Sequence, residues 1–183
     1  MRRGFKTEAR ELATEVRGEL GLSPLDPLDP WALADHLEIP VWDLSSYADA
    51  IPRAVKYLAE EETGAFSAML ACVGLRRVII YNDGHALTRQ RADISHELAH
   101  ALLLHRPHPA IDERPPHYDE AQEEEAKWLG GVLLVTDDSC LSCCRDGLGV
   151  AEAALRLGVS KQLMQWRLNM SGAQRRITRA QAR

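Results

Sequence analysis

Apolar residues recur along this chain with two different periods, and the switches between them outline its elements. Leu12, Val16 and Leu20, with Ala9 and Ala13, return every three to four residues, so the spacing predicts a first helix over 7–20. Thr7 is placed to cap it, Glu8 and Glu11 fall in its first turn, and Gly21 ends it. The stretch 23–30 holds Pro24, Pro27 and Pro30 and reads as a connector. Asp29-Pro30 suits the cap and first position of a short helix reaching Leu37. Ile39-Pro40-Val41-Trp42 follows as an extended edge segment, because proline cannot donate to a ladder. Residues 45–62 are ambiguous and partly helical at best.

Two strands come next. The segment 66–73 is small and apolar, and Arg77-Val78-Ile79-Ile80-Tyr81 is β-branched and aromatic. Gly74-Leu75-Arg76 joins them as an antiparallel pair, and Asn82-Asp83-Gly84 turns the chain out of the sheet. Helical spacing returns after Thr88, a predicted cap, and runs to about Leu104, with Ile94, Leu98, Ala101 and Leu102 marking a buried face. A proline-rich loop over 105–118 leads to a helix over 119–135, acidic at its start and apolar at its end. Gly130-Gly131 inside that helix costs roughly 1 kcal/mol per glycine against alanine. The cost is tolerable if this backbone packs closely on the preceding helix. Ala153 to Leu168 resembles a helix-turn-helix with Gly158 in the turn. The whole is α+β, with a small antiparallel sheet on a central helix. It divides into a body over 1–144 and a helical extension with a basic tail over 145–183.

The central helix carries Ser95-His96-Glu97-Leu98-Ala99-His100, an H-E-x-x-H stretch. Residues four apart project from one helix face, so His96 and His100 can grip one ion together. Glu97 sits about 100° round the helix, within reach of a water on that ion without ligating it. A buried face is a poor place for two unliganded imidazoles and a carboxylate. The pattern therefore reads as a zinc-hydrolase site, with Glu97 taking the proton from the attacking water. A two-histidine, one-carboxylate set also suits manganese or another divalent ion.

Composition changes this picture little. A chain of 183 residues, 45% apolar and 27% charged, suits one globular domain with a real core. No apolar run is long enough to span a bilayer, and Arg2 and Arg3 lead into charged residues rather than a signal-peptide core, so a cytoplasmic protein is expected. Cys72, Cys140, Cys143 and Cys144 are too few and too uneven for a disulfide scaffold, and the last three lack a fourth ligand at a zinc-ribbon spacing. Net charge is −5, unevenly spread: from Arg145 onward eight basic residues face two acidic ones, a balance of +6, which leaves −11 on the body.

A catalytic zinc takes three protein ligands and leaves one position for water. A third histidine at the metzincin spacing is excluded, because Leu103 and Arg106 stand where glycine and histidine are needed. His105, about 140° round the helix from His100, points away unless the helix has ended. His108 is flanked by prolines, and His85 and His117 are further options. The remaining source is a carboxylate on the next helix. Glu123 shares a stripe with Ala126, Gly130, Leu133 and Leu134; Glu124 aligns with Trp128, Gly131 and Val135, and Glu125 with Leu129 and Val132. Glu123 ranks first and Glu124 stays the alternative. His117, Tyr118 and Tyr81 are the candidates for steadying the oxyanion.

Ser95-His96-Glu97-Leu98-Ala99-His100, followed by Glu123-Glu124-Glu125-Ala126-Lys127 and Leu133-Leu134-Val135, resembles the ImmA/IrrE metallopeptidases, small gluzincin-type zinc enzymes. The similarity extends to Val78-Ile79-Ile80-Tyr81-Asn82 and to the Asp29-Pro30 helix, roughly from Thr7 to Gly172. It implies a zincin-like domain, Zn²⁺ on His96, His100 and Glu123, and Glu97 as the catalytic base. The chain departs from the family pattern at Lys127, Leu129, Gly130 and Thr136, where the family usually has Asn, Phe, Ala and Pro. The implied partner is a protein substrate, a DNA-binding repressor of the helix-turn-helix kind, cut in a stress response or a mobile element. Direct DNA contact by the C-terminal helices is the less favoured reading of their charge, a structural pair or a repressor-recognition surface the more favoured one. The rival of another class is a non-catalytic, metal-containing regulator of DNA or a protein partner. Its zinc would be closed by a fourth ligand such as His108 or a cysteine. A small-molecule zinc hydrolase is a weaker third reading.

Overall fold

Glycine, proline and side-chain caps set the limits of most elements in the computed structural model, which describes residues 1–61, 66–74, 76–105 and 119–181. Helix α1 (Phe5–Glu19) starts two residues before the predicted Thr7 cap, because Gly4 takes a φ of 86° and opens the helix itself. Phe5, Ala9, Ala13 and Val16 form its buried stripe. Helix α2 (Pro30–His36) begins as expected, with the Asp29 carboxylate accepting the N–H of Trp31.

Strands β1 (Val41–Asp43), β2 (Ala68–Val73) and β3 (Arg76–Tyr81) form one sheet in the order β1-β3-β2. The predicted antiparallel pair is present, with Leu70 opposite Ile79 and Ala68 opposite Tyr81. The sheet is nevertheless mixed: β1 joins the far side of β3 in parallel, Val41 opposite Ile79. A connection of only two residues between β2 and β3 forces antiparallel pairing, whereas a three-residue strand beside a long connection carries no direction in its residue pattern. Pro40 sits at that edge and uses only its carbonyl, which accepts the N–H of Ile79 at 2.8 Å. Between β1 and β2 lie a short 3₁₀ turn (Leu44–Tyr47), helix α3 (Pro52–Lys56) and a π turn (Tyr57–Glu61).

Helix α4 (Leu87–Leu102) carries the H-E-x-x-H stretch. Thr88 lies inside it and does not cap it; Ala86 stands at the cap without a side-chain bond. Ile94, Leu98 and Ala101 are buried, as the spacing predicts, whereas Leu102 is only partly buried and Ala99, outside the predicted face, is buried too. The helix ends earlier than predicted, in a Schellman turn: the N–H of His105 returns to the carbonyl of His100 at 3.0 Å and that of Leu104 to Ala101 at 3.2 Å. Leu104 takes the left-handed φ of 54° that such a turn requires, a conformation usually left to glycine. The rest of the predicted loop, 106–118, lies outside the described residues.

Helix α5 (Glu120–Leu134) is capped by Asp119, which accepts from Ala121 and Gln122. It is followed by α6 (Asp137–Arg145), which periodicity did not single out, by α7 (Val150–Leu157) and α8 (Lys161–Ser171), and by α9 (Ala173–Gln181), a helix where a basic tail was expected. Gly158, at a φ of 64°, makes the α7–α8 turn as expected. A single buried cluster runs from Phe5 through Ile94, Leu98, Leu129 and Leu133 to Leu157, Met164 and Ala173. Among the described residues no helix is long and apolar enough to cross a membrane.

Helix α5 is the central packing element, in contact with α1, α4 and α8. Its two inner glycines face different neighbours. A Cβ on Gly130 would sit 3.0 Å from the Ser95 carbonyl oxygen and 3.2 Å from the His96 backbone, so α5 meets α4 backbone to backbone. A Cβ on Gly131 would strike the Trp166 ring of α8. Two buried arginines hold the far end of α5. Arg17 donates to the Leu133 carbonyl at 2.7 Å and to the carbonyls of Ser23 and Asp26, and Arg167 donates to the Val135 carbonyl at 2.9 Å. Cationic donors on the last carbonyls also complement the helix dipole. Gly130→Ala is expected to destabilise the fold by about 1–3 kcal/mol through overpacking, despite alanine's better helix propensity. Gly18→Ala, where a Cβ meets nothing within 4 Å, is expected to stabilise it by about 0.5–1 kcal/mol. Thermal melts of the two variants against wild type check both signs.

Candidate metal centre

Helical spacing places His96 and His100 on one face of α4, and α5 brings Glu123 to them from the opposite side. One ligand atom from each of these three residues lies within 4.8 Å of the other two. His96 Nε2 is 3.1 Å from His100 Nε2, and Glu123 approaches them at 3.2 Å (Oε2 to His96) and 3.4 Å (Oε1 to His100). Glu123 lies in the first turn of α5, where the positive end of the helix favours a carboxylate. The next two acids along the helix go elsewhere. The Glu124 carboxylate is exposed and meets the amine of Met1 at 2.8 Å, while Glu125 accepts the backbone N–H of Arg2 at 2.9 Å. Of the three stripes read from the sequence, the one containing Glu123 and Gly130 faces α4.

The electrostatics of the group suit a cation. Burial pushes the His96 imidazole below its ordinary pKa. Burial, reinforced by the neighbouring His96, pushes His100 down to about 4. Both rings are thus neutral at physiological pH, each with a lone pair to offer. Two such lone pairs facing each other beside a carboxylate repel unless a proton or a cation lies among them. Two nitrogens and one oxygen are a donor set that fits zinc or a similar divalent ion, so the residues present match a metal site.

Glu97 extends from the same helix towards the sheet, where its Oε2 accepts the N–H of Leu70 on β2 at 2.8 Å. Burial raises its pKa from the ordinary 4.5 to about 7, the one β2 hydrogen bond opposing it and the charges of Glu123 and Asp93 adding to it. A carboxyl poised near neutrality is suited to both accepting and returning a proton. The Leu70 contact also shows that the outer edge of β2 faces Glu97.

The remaining sequence candidates fall elsewhere. His85 lies beside Asp93 at 3.7 Å and Asn82 at 3.4 Å. Tyr81 is turned into the core against Trp31, with its hydroxyl on Asp43, and burial holds its pKa at about 12. His108, His117 and Tyr118 lie outside the described residues. Cys140 and Cys143 are buried thiols whose pKa values burial raises, Cys140 to about 11. Among the described residues no cysteine belongs to a metal-binding group. His105 was expected to point away unless the helix had ended; α4 ends at Leu102, and His105 Nδ1 lies 3.0 Å from His100 Nδ1, on the side away from the cluster. In the C-terminal pair, Arg167 is fully buried on Asp137 and Arg156 is bound to Asp146 at 2.8 Å, so part of the basic excess is committed within the fold.

A family model matches residues 55–169, more than half of the chain: Peptidase_M78, described as the IrrE N-terminal-like domain. No curated protein matches. The matched span includes β2, β3, α4 and α5, and with them His96, Glu97, His100 and Glu123.

The raised pKa of Glu97 sets a pH window for the metal-free protein. The unfolded carboxyl titrates near 4.5 and the folded one near 7. The native state therefore binds the extra proton between these values, and stability present below 4.5 is lost as pH rises through about 7. Glu97→Gln keeps an acceptor for Leu70 and carries no charge. After chelator treatment it is expected to melt above wild type at pH 8, with the advantage fading as pH falls from about 7 to 4.5. Melting temperatures across that range check this; a gap that does not vary with pH counts against it.

Proposed function

We propose that this chain, which belongs to the IrrE N-terminal-like family of metallopeptidase-type hydrolases, is a zinc-dependent endopeptidase of the gluzincin type. The observation that carries the reading is the convergence of His96, His100 and Glu123 within 4.8 Å, from two helices packed backbone to backbone. In this reading those three residues hold the ion and Glu97 is the general base. When bound, the ion supplies Lewis acidity to the scissile carbonyl and to the attacking water. Glu97 takes the proton from that water and later returns it to the leaving amine, roles matched by its pKa of about 7.

The sheet supports a peptide substrate. Leu70 points its N–H out of the sheet towards Glu97, and the alternation of a strand gives Ala68 and Cys72 the same outward direction. An extended peptide adding to this edge would run its carbonyls past the catalytic carboxylate, with main-chain hydrogen bonds holding it in register. The partner we propose is a DNA-binding repressor of the helix-turn-helix kind, cut in a stress response or a mobile element; the sequence resemblance is what supports that choice.

Glu97→Gln is expected to retain zinc and to lose about 10²–10⁴-fold in cleavage rate. Glu123→Gln is expected to lose most bound zinc, and Glu124→Gln to keep it. Elemental analysis of the reconstituted proteins reads the metal, and mass spectrometry of a helix-turn-helix repressor incubated with each reads the cleavage. A Glu97→Gln variant that cleaves as fast as wild type would overturn the mechanism. A Glu123→Gln variant that holds zinc as well as wild type would overturn the ligand set.

A further inference from the structure

The contacts of His100 continue on the side away from the cluster. The Schellman turn at the end of α4, with Leu104 at a φ of 54° and largely exposed, folds the chain back so that His105 is buried beside His100. Their Nδ1 atoms are 3.0 Å apart. The other nitrogen of His105, Nε2, faces Glu125 Oε2 at 3.9 Å, and the second oxygen of Glu125 accepts the N–H of Arg2.

Counting protons along this row leaves one arrangement without conflict. To offer a lone pair at Nε2, a neutral His100 must carry its proton on Nδ1. His105 Nδ1 then accepts that proton's hydrogen bond, so the proton of His105 sits on Nε2 and faces the Glu125 carboxylate. In the reverse arrangement His105 would donate from Nδ1 and turn a bare Nε2 lone pair on a carboxylate, while His100 would direct an N–H into the ligand cluster. Glu125 thus favours the tautomer in which His100 Nε2 is free.

We propose that His105, backed by Glu125, is a positioning residue that fixes the tautomer and rotation of His100, so that its Nε2 is presented to a divalent metal ion. This rests on the reading of His96, His100 and Glu123 as the ligands. Outer partners of this kind typically change metal affinity by about 10–100-fold when removed.

The test is metal binding by the full chain, without reference to proteolysis. Chelator-stripped wild type, His105→Leu, His105→Asn and Glu125→Gln are titrated with Zn²⁺ against a chromophoric chelator and with Co²⁺ by its visible d–d absorption. Circular dichroism of each metal-free protein reports folding. His105→Leu is expected to bind Zn²⁺ about 10–100-fold more weakly and to change the Co²⁺ spectrum. His105→Asn, whose Oδ1 takes the place of Nδ1 as acceptor, recovers most of that loss, and Glu125→Gln shows a smaller loss than His105→Leu. Equal affinity in His105→Leu and wild type overturns the proposal, as does an equal loss in the Leu and Asn variants, which would make His105 a packing residue. Should His105→Leu not fold, His105→Asn and Glu125→Gln decide: wild-type affinity and spectrum in the former with a weakening in the latter support the proposal, and no weakening in Glu125→Gln overturns it. Wild type that binds neither ion overturns the ligand reading itself, an outcome distinct from a variant that merely matches a metal-binding wild type.

Discussion

The distance between α4 and α5 at Gly130 governs the candidate centre. Where Gly130 meets the Ser95 carbonyl and the His96 backbone there is room for a hydrogen atom and little more. Glu123 lies seven residues, about two turns, before Gly130 on the same stripe of α5. The closeness at the glycine therefore sets how far the carboxylate must reach to meet the rings of His96 and His100. A side chain at that point would separate the helices by part of an ångström, and a ligand set has little tolerance for such a shift. The propensity cost of glycine in mid-helix is offset by this contact.

Much of this was legible in the sequence, for identifiable reasons. The H-E-x-x-H spacing and the buried positions Ile94, Leu98 and Ala101 follow from helical period, and they appear as expected. Glu123 could be ranked above Glu124 because its stripe ran through Ala126 and Gly130, residues small enough to lie against another helix. Three features were hidden. The direction of β1 depends on a long connection rather than on its three residues. Helix α6 buries serine and cysteine among few large apolar residues, so its period is faint. The direction of His105 stayed conditional on where the helix ends, because nothing in Leu103-Leu104 announces an end; a glycine at 104 would have done so.

The electrostatics of the site follow from burial more than from any single pair. Enclosing His96 and His100 keeps them neutral, and enclosing Glu97 raises it to about 7, so one environment prepares both lone-pair donors and a proton acceptor. Glu123 comes from the other helix, in the first turn of α5 at the positive end of its dipole.

The arginine clasps at the end of α5 bear on how the molecule opens. Arg17 belongs to α1 and Arg167 to α8, yet both close on the last carbonyls of the helix that carries Glu123. Unwinding that end in isolation would strand two buried guanidinium groups, so it cannot fray cheaply. Helix α5 can leave α4 only if α1 and α8 release it together, and that is close to unfolding the chain. The last-turn amides of α5 are therefore expected to exchange with solvent when these neighbours release together rather than by fraying of that end alone.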